Sequence, residues 1–139
     1  IIFTKKKKAD YIIDNRVSFE ELLEKSDIVS VHAPLDENTR NLFDKTAFDK
    51  MKKSALFINV GRGPIVVEQD LVDALNEGQI AAAGLDVLSV EPMIEQNPLR
   101  TIKDSNKLII TPHIAWASVE ARTRLMKIIS EQIKEFFEL

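Results

Sequence analysis

A chain of 139 residues, 45% of them hydrophobic, carries enough apolar material for one domain with a sizeable core, and its net charge of −3 gives no reason to expect a nucleic-acid partner. No cysteine is present, which excludes a disulfide framework and a thiolate metal site and suits a reducing cytoplasm; no metal is expected. No apolar run approaches the roughly 20 residues that cross a bilayer, and Ile1-Ile2-Phe3-Thr4 ahead of Lys5 to Lys8 is the reverse of a signal peptide, so a soluble, cytoplasmic protein with no membrane partner is expected.

In chain order, Ile1-Ile2-Phe3 lacks an initiator methionine and reads as the middle of a buried strand, so a truncated chain is expected. Ser18-Phe19-Glu20-Glu21 is a capping box that opens a helix ending near Ser26-Asp27. Residues 28–31, 56–60, 80–85 and 108–111 are short apolar runs with the length of strands buried on both faces. Between them, residues 45–51 form a short helix and residues 68–76 a longer one, with Leu71, Val72 and Leu75 on one face and Gly78 as its stop. The longest irregular stretch, residues 91–105, holds Pro92 and Pro98 and carries Glu91. Residues 117–137 form an amphipathic helix whose Leu125, Ile128, Ile129, Ile133 and Phe136 recur at helical spacing, as a core-facing stripe would. Strand and helix alternate throughout. That predicts an α/β domain: a parallel sheet covered by helices on both faces, with right-handed crossovers and no second domain.

Ligands of open parallel sheets bind at the strand C-terminal ends, and three candidate residues fall there or in the loops that follow. Arg62 lies between two glycines in Asn59-Val60-Gly61-Arg62-Gly63; it is either a surface arginine in a tight turn or a guanidinium placed to grip a carboxylate through two parallel hydrogen bonds. His113, in Thr111-Pro112-His113-Ile114-Ala115-Trp116, could accept or return a proton near neutral pH. Glu91, reached from Gly84-Leu85-Asp86-Val87 and followed by Pro92, is either a solvated loop carboxylate or the acid that favours a charged imidazole. A carboxylate clamp, a proton acceptor and a tuning acid are what oxidation of a 2-hydroxy acid requires.

The order and wording of these signatures resemble the D-isomer-specific 2-hydroxyacid dehydrogenases over roughly the last nine-tenths of the chain, most closely their glycerate dehydrogenases and hydroxypyruvate or glyoxylate reductases. The resemblance implies an oxidoreductase moving hydride between NAD or NADP and a small 2-oxo or 2-hydroxy acid, and a homodimer. It assigns the substrate carboxylate to Arg62, the acid/base role to His113 and its tuning to Glu91. It gives Asp86 to the nicotinamide carboxamide, where the residue could otherwise merely cap a turn. Val60, Gly61, Ala115 and Trp116 go to the cofactor wall with Arg62 and His113, and His32, Pro34 and Thr39 to a loop beneath the adenine, although His32 could equally pack against a neighbouring strand. Lys5 to Lys8 stand where an acid normally grips the adenine ribose; they could accommodate a 2′-phosphate or be a solvated run.

Two parts of the family pattern are absent: the Gly-x-Gly-x-x-Gly turn and the separate substrate domain. The expected fold is therefore a partial Rossmann-like doubly wound sheet lacking its first strand and Gly-rich turn, residues 1–139 being a truncated dinucleotide-binding domain that includes the long helix 117–138. With strand order 3-2-1-4-5-6, loss of the first strand leaves residues 1–4 and 28–31 without a direct neighbour, so a rearranged edge or pairing with another copy is expected. Val67 replaces an aspartate usual at the next helix start, with Glu68 or Asp70 as possible substitute caps. Two other readings are a nicotinamide-sensing interaction protein of the C-terminal binding protein corepressor type and an inactive, self-associating fragment. The isolated chain is expected to be inactive.

Overall fold

The structure, a computed structural model, describes residues 3–4 and 16–137. The Lys5 to Lys8 run and the strand reading of residues 1–2 lie outside the described residues.

Ser18 caps α1 (Phe19–Lys25), its hydroxyl accepting the Glu21 amide. The Glu21 carboxylate goes to Lys25 Nζ, 2.6 Å away, rather than back to the Ser18 amide, so half of the capping box forms. Asp44 caps α2 (Lys45–Asp49) by accepting the Ala47 amide. Helix α3 (Glu68–Glu77) stops at Gly78, whose φ of 71° is the left-handed conformation that glycine adopts without strain. Its first turn has no side-chain cap at Val67, and neither expected substitute supplies one. Asp70 accepts the Lys45 amide at 2.8 Å, tying α3 to α2, and Glu68 reaches a loop near the candidate site.

Four parallel strands, β3 (Ile28–Val31), β4 (Leu56–Asn59), β5 (Ala82–Leu85) and β6 (Leu108–Ile110), lie side by side in chain order. A separate parallel pair joins β1 (Phe3–Thr4) to β2 (Arg16–Val17). No ladder links β1 to β3 among the described residues, which leaves one edge of β3 without a described neighbour.

The registers put Val29, Val31, Phe57, Asn59, Ala83 and Leu85 on one face, all buried. Helices α1 to α3 cover it through Leu23, Phe48, Leu71 and Leu75, and Phe19, Phe43, Phe48 and Phe57 stack with ring centroids 4.9 to 6.4 Å apart. The opposite face, with Ile28, Leu56 and Ile109, is exposed. The expectation of strands buried on both faces is thus met on one face only: no described helix packs on the other.

The core-facing reading of the last helix also fails. In α4 (Val119–Phe137) no residue is buried, and Leu125, Ile128, Ile129, Ile133 and Phe136 are all exposed. Periodicity marks a stripe able to be covered without saying by what. Phe57→Ala should cost about 3–5 kcal/mol in urea unfolding, whereas Ile109→Ala on the open face should change stability by less than about 0.5 kcal/mol.

Candidate active site

Each strand of the sheet delivers one loop to the same edge. After β3, His32 lies with Nε2 2.9 Å from the Ser30 hydroxyl, and Thr39 closes the following turn by donating to the Pro34 carbonyl at 2.7 Å and accepting the Asp36 amide at 2.8 Å. After β4, the loop carrying Arg62 packs onto that turn at Gly61, where a Cβ would stand 2.9 Å from the Ala33 carbonyl oxygen. Asn59 makes this loop: 1% exposed, it accepts the Gly61 amide at 3.0 Å and donates from Nδ2 to the Arg62 carbonyl at 3.0 Å. Sequence reading missed Asn59 as an organiser. An asparagine at the end of an otherwise apolar strand was the available signal.

The Arg62 side chain is exposed. It makes one Nη1 bond of 2.8 Å to the Gly61 carbonyl, so most of the five guanidinium N–H donors stay unused among the described residues. It is a cation anchored through one guanidinium nitrogen and open to an anion.

Asp86 follows β5 and is 6% exposed. Its Oδ1 accepts the Thr111 hydroxyl and the Ile114 amide at 2.9 Å, and its Oδ2 accepts the Ala115 amide at 2.8 Å. Burial opposes ionisation, but the Thr111 hydroxyl and the Ala115 and Ile114 amides outweigh it and hold the carboxyl below the ordinary aspartate range. Two carboxylate oxygens offer about four acceptor positions. Three of them are filled by these bonds.

What these bonds accomplish locally is to hold the loop after β6. His113 has φ of 56°, a left-handed conformation uncommon for a residue with a side chain and costing about 1–3 kcal/mol. Asp86 fixes the two amides that follow it, the His113 amide donates to the Thr111 carbonyl at 3.0 Å, and Trp116 Nε1 donates to the His113 carbonyl at 3.0 Å. Thr111 and Asp86 therefore position His113, a role the sequence reading did not give them.

The ring of His113 meets Glu91, Nδ1 lying 2.9 Å from Oε2. The other oxygen of Glu91 accepts the Leu88 amide at 2.8 Å. That amide, followed by the hydrogen bond with His113, keeps the Glu91 carboxyl below the ordinary glutamate range despite burial and the nearby Asp86 charge. An ionised carboxylate only accepts, so Nδ1 carries the hydrogen and Nε2 is left to exchange a proton. No hydrogen bond occupies Nε2 among the described residues. Asp86, Glu91 and His113 line a cavity of about 530 Å³ whose apolar wall includes Leu88, Pro92 and Met93. Arg62 does not line it. Glu91 and His113 are thus brought into contact, Asp86 is joined to the His113 loop, and Arg62 stands on the loop after β4 at the same sheet edge. Val60, Gly61, Ala115 and Trp116 belong to the same two loops.

Asp86 and Glu91 bind fewer protons folded than unfolded, so their contribution to stability is present above the ordinary carboxylate range and is lost as pH falls below about 4. Urea unfolding from pH 7 to pH 3 should show this acid loss. Glu91→Gln should show a shallower loss over the same range.

The model of the family described as "D-isomer specific 2-hydroxyacid dehydrogenase, NAD binding domain" matches residues 2–115. A hydroxypyruvate reductase of Blautia hydrogenotrophica is 48% identical over 88% of this chain and 37% of its own length. Among solved structures, an acyclic imino acid reductase in complex with NADPH and D-Arg superposes with a TM-score of 0.84 at 33% identity, covering 99% of this chain and 43% of that one. The NAD-complexed D-isomer specific 2-hydroxyacid dehydrogenase of Lactobacillus delbrueckii ssp. bulgaricus superposes at 0.73 and 30% identity over 86% of this chain and 40% of that one. The chain spans less than half the length of these relatives.

Proposed function

This chain belongs to the D-isomer-specific 2-hydroxyacid dehydrogenases through their NAD-binding domain, and we propose that it carries the cofactor-side half of the reduction of a small 2-oxo acid, hydroxypyruvate or glyoxylate, by NADH or NADPH. The observation that carries the reading is the Glu91–His113 pair, with Nδ1 engaged and Nε2 available. Arg62, through its unused guanidinium donors, binds the substrate carboxylate and so orients the 2-oxo carbon. Asp86 and the wall of Val60, Gly61, Ala115 and Trp116 hold the nicotinamide, with His32, Pro34 and Thr39 beneath the adenine. A bound nicotinamide supplies the hydride. His113 Nε2 gives its proton to the substrate oxygen during reduction, and Glu91 stabilises the imidazolium beforehand. In oxidation the same nitrogen takes the hydroxyl proton.

Relatives named as hydroxypyruvate reductase, glyoxylate reductase and glycerate dehydrogenase support an enzyme and do not favour the nicotinamide-sensing alternative. No described helix is long and apolar enough to cross a membrane. A cytoplasmic setting is supported by the absence of cysteine, and a homodimer by the family resemblance.

Mixing the protein that carries this chain with hydroxypyruvate or glyoxylate and either reduced nicotinamide should consume the cofactor. His113→Ala should lower the rate about 10² to 10⁴-fold. Saturable cofactor binding with no turnover on either acid contradicts the reading.

A further inference from the structure

The loop that presents Glu91 is fastened from a residue far away in sequence. Glu68, in the first turn of α3, accepts the Ser89 amide on Oε1 at 2.7 Å and Asn97 Nδ2 on Oε2 at 2.9 Å. Asn97, 4% exposed, accepts the Leu99 amide at 2.8 Å with its own Oδ1. One carboxylate therefore bridges both sides of the stretch that holds Glu91. The consecutive amides of Leu88 and Ser89 divide between two acids, the first going to Glu91 and the second to Glu68.

The peptide between Leu88 and Ser89 is also where the two functional loops touch. A Cβ on Gly63 would overlap the Leu88 carbonyl and the Ser89 nitrogen. The absence of a side chain at Gly63 lets the Arg62 loop lie directly against this peptide, so its position bears on the guanidinium from one side and on Glu91 from the other. A peptide with no anchor of its own could tilt, because Leu88 and Glu91 are only three residues apart in an irregular segment.

We propose that Glu68 is a positioning residue for the reaction: by clamping Ser89 and Asn97 it fixes the Leu88–Ser89 peptide, and through it the orientation of Glu91 toward His113 and the seating of the Arg62 loop. Glu68 touches neither substrate nor cofactor in this account. The inference rests on reading Glu91 and His113 as the acid/base pair. It also specifies exchangeable chemistry, since the clamp needs an acceptor toward Ser89 and a complementary donor and acceptor between positions 68 and 97, and either partner of that side-chain bond can be the donor.

The test follows the Glu91 carboxyl carbon by NMR through an acid titration of this chain, with thermal unfolding measured alongside. Glu91 faces Asp86, His113 and the Leu88 amide, and its lowered carboxyl depends first on that amide. Glu68→Ala should release the peptide and move the Glu91 midpoint upward toward that of an ordinary glutamate. The paired exchange Glu68→Gln with Asn97→Asp reverses donor and acceptor across the bond while keeping an oxygen for Ser89 and another for Leu99. It should return the midpoint to its original place. In the turnover assay Glu68→Ala should lower kcat on the order of 10²-fold, the penalty of a misplaced catalytic group, and the paired exchange should recover it.

A lowered melting temperature with an unmoved Glu91 midpoint would make Glu68 a merely structural residue and overturn the proposal. So would a paired exchange that stays at the Glu68→Ala value. Should Glu68→Ala not fold, Glu68→Asp keeps the charge, shortens the reach and is judged by the same midpoint. The carboxyl titration requires no turnover. A protein inactive on every 2-oxo acid but showing the shift and its reversal would refute the proposed reaction while leaving the clamp intact.

Discussion

The carboxylate of Asp86 is the fixed point on which the candidate site depends. Ionised at the end of β5 and nearly buried, it gathers the Thr111 hydroxyl and the Ile114 and Ala115 amides from the loop after β6. An isolated buried charge is costly, but one that receives three donors is compensated and becomes a rigid node. Its effect is to hold His113 in a left-handed conformation that the chain would otherwise leave. With that backbone turned, the ring meets Glu91.

A parallel sheet gives the node its leverage. Strands β3 to β6 end at one edge, and each following loop leans on its neighbour: the Arg62 loop against Ala33 through Gly61, and the Glu91 loop against Gly63. Asn59 and Asp86, both buried polar residues at the strand ends, lock two of these loops with side-chain bonds to backbone. The reactive side chains can then be partly exposed without being loose. Glu91 and His113 retain 38% and 43% of their side-chain exposure, so their alignment has to come from the bonds around them rather than from burial.

Much of this was legible in the sequence. The four apolar runs became the four strands within two residues, because short blocks of branched residues between helix signals have few other uses. Ser18 and Gly78 marked helix ends through local chemistry that does not depend on the rest of the fold. Glu91 and His113 were paired correctly from their signatures. The positioning residues were not. Thr111 with Asp86 and Glu68 with Ser89 are contacts between residues 25 and 21 apart, and no local pattern announces which backbone amide a side chain will reach. The stripe on α4 and the open face carrying Ile28 and Ile109 were misjudged for a related reason: hydrophobic spacing records a surface that suits burial, while coverage depends on what else is present.

In the proposed reaction one group, His113 backed by Glu91, handles the proton in both directions. The direct measurement is kcat/KM for reduction of hydroxypyruvate and for oxidation of D-glycerate by the protein that carries this chain, each compared with His113→Gln. The substitution should lower both by about 10² to 10⁴-fold. Near-normal rates in either direction would contradict that role.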